Sequence, residues 1–190
     1  MLDDGCLLRV DELRAGYAHP VVGPVSFSVD RGDVIGVRGP NGSGKSTLLN
    51  ALVGGVHIFS GAVQRRPGLR ISHQQQAALA LDHVPLSGRE LLALTGADAR
   101  DLPDWIAPLM RRRLDRLSGG QLQFLQVWAC LRAPVDVVLL DEPTNNVDPP
   151  GVRHLQKQID AMKPTRALLI VSHDREFLDG ITTRSIDLAR

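Results

Sequence analysis

The chain has 190 residues, 43% of them hydrophobic and 23% charged, with a formal net charge of +1. That length allows one compact domain with a sizeable core and is too short for two ordinary ones. A near-neutral balance supplies no field to hold a nucleic acid or an anionic membrane, so no nucleic-acid partner is expected. Cys6 and Cys130 lie far apart, suit no metal-ligand spacing and are expected to be reduced, with Cys130 a small core residue in the apolar stretch 127–131. No charged-then-apolar leader and no apolar run of membrane-spanning length occurs. A cytosolic protein is expected, unless a partner holds it at a membrane.

In chain order, the alternation of Leu7, Val10 and Leu13, then 25–29, then 34–37, predicts short strands broken by Gly and Pro turns. From Gly39 the pattern changes to a glycine-rich loop and a helix over 46–53. The middle segment, 87–116, reads as helical, with a capping box at Ser87-Gly88-Arg89-Glu90 and Pro103 suited to a first helical turn before Trp105. A helix from Ser118, a strand over 135–140, a helix after Pro150, a strand over 167–171 and a last strand near Ile186 complete the chain. Apolar strands interleaved with helices predict an α/β fold with a mainly parallel sheet covered on both faces.

Gly39-Pro40-Asn41-Gly42-Ser43-Gly44-Lys45-Ser46 fits the phosphate-binding loop pattern. Glycines let successive backbone N–H groups turn inward as an anion nest, and the following helix adds its positive end. Lys45 supplies a mobile charge for phosphates and Ser46 a hydroxyl for Mg²⁺. A glycine-rich turn with a chance lysine is the alternative, disfavoured by the apolar strand before the loop and the apolar helix after it. The strand 137–140 runs into Asp141-Glu142, which places two carboxylates at the sheet's C-terminal edge. There Asp141 would hold Mg²⁺ and Glu142 would orient the attacking water; alone, two solvated acids would be an equal reading. Leu117-Ser118-Gly119-Gly120-Gln121 opens a helix with Ser118 as its natural N-cap, a second anion-binding helix end. Six scattered histidines form no pair at metal-ligand spacing on one predicted helix.

A phosphate loop, then LSGGQ, then an apolar strand ending in Asp-Glu, then Ser172-His173-Asp174 resembles the ATP-binding cassette (ABC) ATPases from Leu7 to Leu188. No Asn-Lys-x-Asp guanine motif points to a small GTPase, and no long coiled coil separates the motifs. The resemblance implies an α/β, ABC-type phosphate-loop NTPase cassette over 1–190: a mainly parallel core sheet, an N-terminal antiparallel β part and a shortened helical subdomain near 87–116. It implies ATP and Mg²⁺, and a head-to-tail dimer with each nucleotide between one chain's phosphate loop and the other's signature helix. Tyr17 would stack on adenine; a half-buried core tyrosine is the other reading. Gly39 to Ser46 and Thr47 would hold the phosphates, and Ser118, Gly119, Gly120 and Gln121 would close on them from the opposite chain. His173 would contact the γ-phosphate beside Glu142, and Asp148 would lie in the loop linking the two sites.

The Mg²⁺-sensing glutamine is one of Gln74, Gln75 and Gln76. An ungapped match of 69–76 to a Leu-Arg-Ile-Gly-Tyr-Val-Pro-Gln sequence favours Gln76, and the register resembles ATPases of zinc and manganese transporters. Phe124 departs from the family's usual arginine, Val147 replaces a common leucine, and the helical segment is short. Arg111-Arg112-Arg113 reads as a solvated face ahead of a partner contact. Two functions are expected in order: an ATPase subunit powering a separate membrane permease, peripheral on its cytoplasmic face; or a soluble protein similar to the translation-associated F subfamily. The second rests on the wording of 141–146 and 171–179 and lacks that subfamily's second cassette, linker and basic surface.

Overall fold

The computed structural model describes residues 5–75 and 85–188. Its first part is an antiparallel sheet of β1 (Cys6–Gly16), β2 (Pro20–Asp30) and β4 (His57–Arg65), with β1 in the middle. The second sheet is parallel and runs β5 (Ile71–Gln74), β6 (Val137–Asp141), β7 (Ala167–Val171), β3 (Val34–Arg38), β8 (Arg184–Asp187). The expected helix after the phosphate loop is α1 (Lys45–Leu52), which starts and ends one residue earlier than the sequence suggested.

Strands β3, β6 and β7 are apolar at nearly every position because both faces of the parallel sheet are covered. Period-2 alternation divides them between two cores. Val34, Val138, Leu140, Leu168 and Ile170 face α3 (Gly119–Arg132), α4 (Pro149–Met162) and α5 (Arg175–Ile181). Ile35, Val37, Val137, Leu139, Leu169 and Val171 face α1 and the antiparallel sheet. Helix α1 is thereby wedged between the two sheets, with Leu48, Leu49, Ala51 and Leu52 buried, and the loop that feeds it is held on a rigid base.

The segment 87–116 differs from the expected helical run. Only α2 (Gly88–Thr95) is α-helical; it begins at the Ser87–Glu90 capping box and stops at Gly96, whose φ of 65° is left-handed. The chain then runs irregularly to two short 3₁₀ turns, Ala107–Arg111 and Leu114–Arg116. Pro103 and Pro108 each lack the N–H that an α-helix through this stretch would need. Trp105 therefore sits in a turn rather than on a helix, 38% exposed, with its ring edge on Phe124 at 4.8 Å. Two strands went unrecognised in the sequence, β4 and β5.

Phe124 is fully buried where the family pattern has arginine. Its ring also lies 5.9 Å from Trp128 and 6.1 Å from His154. This aromatic group ties α3 to α4 and, through Trp128 Nε1 donating to the Asp98 carbonyl over 3.0 Å, to the irregular segment. Cys130, expected in the core, is half-buried at its margin, and burial pushes its thiol up to about 12.

Candidate active site

The phosphate loop leaves the end of β3 and closes on the N-terminus of α1. Gly39 has φ 149°, and a Cβ there would stand 2.6 Å from Ser43 Oγ and 2.8 Å from the Leu188 carbonyl. Gly44 caps α1 at φ 88°, and a Cβ would fall 2.7 Å from the Val22 side chain. Only glycine satisfies both the left-handed backbone and the close approach. Lys45 is buried along its stem, and its Nζ donates to the Gly39 and Pro40 carbonyls at 2.9 and 3.0 Å. The Ser43 hydroxyl is buried and has no hydrogen-bond partner among the described residues.

Asn41, Gly42, Gly44, Lys45, Ser46 and Thr47 line a cavity of about 370 Å³ whose other wall includes Asp141, Glu142 and His173. The fold thus gathers the loop, the strand-end carboxylates and the late histidine, which are scattered over 130 residues of sequence, around one space. Asp141 and Glu142 are each only 4% exposed, so they are not solvated acids at a strand end. Glu142 Oε2 accepts the His173 backbone N–H at 3.2 Å. His173 Nε2 stands 3.2 Å from Glu142 Oε1 without hydrogen-bond alignment, and Oε1 accepts no hydrogen bond among the described residues. Burial raises the Glu142 carboxyl above the ordinary glutamate range; the His173 N–H bond, the His173 ring and Lys45 oppose that shift, and Asp141 reinforces it.

Glu142 also adopts φ 54°, a left-handed conformation that costs a residue with a side chain about 1 kcal/mol or more and gathers at functional sites. Asp141 Oδ1, buried and without a hydrogen-bond partner among the described residues, and Ser46 line the same cavity with oxygen donors of the kind a small hard cation takes. Orphaned carboxylate oxygens beside a buried ammonium are costly in an unliganded protein, and a nucleotide with its cation would relieve them.

Among the described residues, the signature-helix residues Ser118–Gln121, Asp148 and Tyr17 do not line this cavity. Ser118 caps α3 as its motif predicts: its Oγ accepts the Gln121 N–H and Gln121 Oε1 accepts the Ser118 N–H. Gly119 opens onto a separate depression that shares Glu142 with the first, and Gly120 packs so tightly that a Cβ would strike the Asn146 carbonyl at 2.1 Å. Asp148 is the N-cap of α4, its Oδ1 accepting the Gly151 N–H at 2.9 Å. Tyr17 follows β1 and is 64% exposed, which rules out the core-tyrosine reading; it does not line the cavity, whereas Val21 does. Gln76 lies outside the described residues. Gln74 is buried in β5, its Oε1 accepting the Asp141 N–H at 3.2 Å, while Gln75 is exposed and donates to Asn50 Oδ1.

Gln123 was not singled out by the sequence, yet its Nε2 donates to the Glu142 carbonyl over 3.0 Å. No local pattern marks it, because its partner is a backbone atom on another element.

The ABC transporter family model matches residues 22–145. A zinc import ATP-binding protein ZnuC from Jannaschia sp. is 32% identical over 195 residues, covering 96% of this chain and 79% of its own. One from Paracoccus denitrificans is 39% identical over 163 residues, covering 82% of this chain and 64% of its own. A solved ATP-binding subunit of an ABC transporter superposes with a TM-score of 0.80 at 22% identity, covering 96% of this chain and 85% of that one. The phosphate loop, the paired carboxylates at the end of β6 and the capped LSGGQ helix stand in one fold with those matches behind them: the chain belongs to the ABC transporter family, as one of its ATP-hydrolysing ATP-binding proteins.

Proposed function

We propose that this chain is the ATPase subunit of a metal-ion importer of the zinc type, working as a head-to-tail dimer on the cytoplasmic face of a multi-span permease. The observation that carries the hydrolytic part is the buried Asp141–Glu142 pair, whose Oδ1 and Oε1 stay unpaired in a cavity walled by Lys45 and Ser46. The names of the relatives carry the metal reading. No helix among the described residues is long and apolar enough to cross a membrane.

In this reading Lys45 exchanges the Gly39 and Pro40 carbonyls for phosphate oxygens, and the loop's N–H groups hold the rest of the triphosphate tail. Ser46 and Asp141 would hold Mg²⁺, which would supply a Lewis acid for the phosphate oxygens. Glu142 keeps Oε2 on the His173 N–H and turns Oε1 to a water, polarising it for in-line attack. Ser118 and Gly120 act on the opposite chain's nucleotide, which fits their separation from Lys45 within this chain. The roles of Tyr17 on adenine and Gln76 on the cation stay with this proposal.

Trp105, part-exposed on the segment between α2 and α3, supplies the partner contact. Pull-down from detergent-solubilised membranes is expected to recover a multi-span membrane protein, and Trp105→Ala to weaken that recovery more than ATP binding. Zinc-dependent stimulation of ATP turnover in the reconstituted complex tests the cargo. Recovery with ribosomes and no membrane protein would overturn the transport reading and favour the translation-associated alternative, while the ATPase assignment would stand.

A further inference from the structure

The backbone of Glu142 is fixed from several directions. Its N–H donates to the Val171 carbonyl in β7 over 2.8 Å. Its own carbonyl accepts the Asn145 N–H at 3.3 Å and Gln123 Nε2 at 3.0 Å. Among these donors and acceptors Gln123 is the side chain, and it alone sits on α3, one turn past the Ser118 cap. The φ of 54° is unfavourable for a glutamate and persists only while its surroundings over-determine it. Carbonyl and carboxylate hang from the same Cα, so a bond that fixes one peptide plane also fixes the direction of the side chain. Gln123, Gly119, Asn145 and Asn146 border a depression of about 290 Å³ next to Glu142, so little packing replaces the bond if it is lost.

We infer that Gln123 is a positioning residue for Glu142: its amide pins the carbonyl, aims the carboxylate, and makes that aim depend on where α3 stands. The inference rests on the reading of Glu142 as the group that orients water. It also gives the partner-facing segment a mechanical route inward. Trp105 packs on Phe124 at 4.8 Å, and Phe124 is the residue after Gln123 on α3. Displacement of Trp105 would therefore shift the turn of helix that carries the amide.

The test compares Gln123→Met, which keeps length without a donor, with Gln123→Lys, which restores an N–H donor at similar reach. In the full chain, Gln123→Met is expected to lower kcat by about tenfold with KM and nucleotide affinity unchanged within about twofold, because the carboxylate is less well aimed at the reacting water while nucleotide binding does not use it. The melting temperature should move little, and Gln123→Lys should recover most of the turnover. Unchanged kcat in Gln123→Met sinks the inference, as does an equal loss in both variants that tracks a fall in melting temperature. Glu142→Gln is assayed alongside. If it turns over at the parental rate, the reading of Glu142 fails and this inference with it; if it is inert while Gln123→Met is normal, only the positioning role is lost.

Discussion

His173 meets Glu142 twice: its main-chain N–H donates to Oε2 over 3.2 Å, and its ring Nε2 stands 3.2 Å from Oε1 without a hydrogen bond between them. The backbone contact holds the carboxylate's orientation whatever the ring does. Oε1 stays available, and a ring that is 61% exposed is free to turn towards a phosphate. The two residues come from the ends of neighbouring parallel strands, β6 and β7, so the sheet itself sets their spacing.

Glu142→Gln is expected to keep ATP affinity and lower turnover by about 10²-fold or more, the usual scale for losing a general base. Because hydrolysis no longer clears the nucleotide, the variant should collect as an ATP-bound dimer by mass action. Turnover assays and sizing with and without MgATP read both effects. A monomer with parental turnover would remove the paired-site mechanism.

The raised carboxyl of Glu142 sets a pH dependence. Water activation in the proposed mechanism needs the ionised form, so kcat/KM, which reports the free protein, should fall on acidification with a midpoint above the ordinary glutamate range. For stability the sign is opposite. A folded-state pKa above the unfolded one gives a contribution that is complete below the ordinary glutamate value and is lost as pH rises through the raised value. Glu142→Gln should therefore melt higher than the parent at neutral pH in the absence of nucleotide. A kcat/KM profile with its acid limb at the ordinary value, or a lower melting temperature, would contradict this.

Lys45→Ala removes the ammonium that now donates to Gly39 and Pro40. Nucleotide affinity should fall by about 10- to 100-fold, the scale of charge-assisted hydrogen bonds. Titration calorimetry reads this directly. Affinity within about twofold of the parent would move the phosphate site elsewhere.

Phe124→Ala opens a void among Trp105, Trp128 and His154. Stability should drop by about 3–5 kcal/mol in denaturant unfolding, as for other buried aromatic truncations. Loss below about 1 kcal/mol would mean that the group collapses readily around the gap.

Much of the site was legible because its chemistry is local. Gly39–Ser46, Asp141-Glu142 and Ser118–Gln121 each carry the chemistry proposed for them in adjacent residues, and the structure gives each the backbone its residue types suggest. What escaped detection depends on distance or on exposure. Strand β4 is exposed at eight of nine positions, so no alternation betrays it. Gln123 meets Glu142 across 19 residues through a carbonyl, which no side-chain pattern records. The helical reading of 87–116 followed its capping box and its leucines; Gly96 and the two prolines ended the helix early. The departure at Phe124 looked like a missing charge, and it is instead the centre of an aromatic cluster.

Cys130 has a consequence for a protein proposed to serve a zinc permease. With its thiol pushed up to about 12, it is almost wholly protonated at neutral pH, and the thiolate is the form that binds soft metals and reacts with oxidants. Cys6 is 3% exposed, its Sγ turned to the Leu8 carbonyl. The chain's two cysteines are therefore poor traps for zinc and poor targets for peroxide. An ATPase built this way could work beside a stream of thiophilic ions without being titrated by the ions it is proposed to help move.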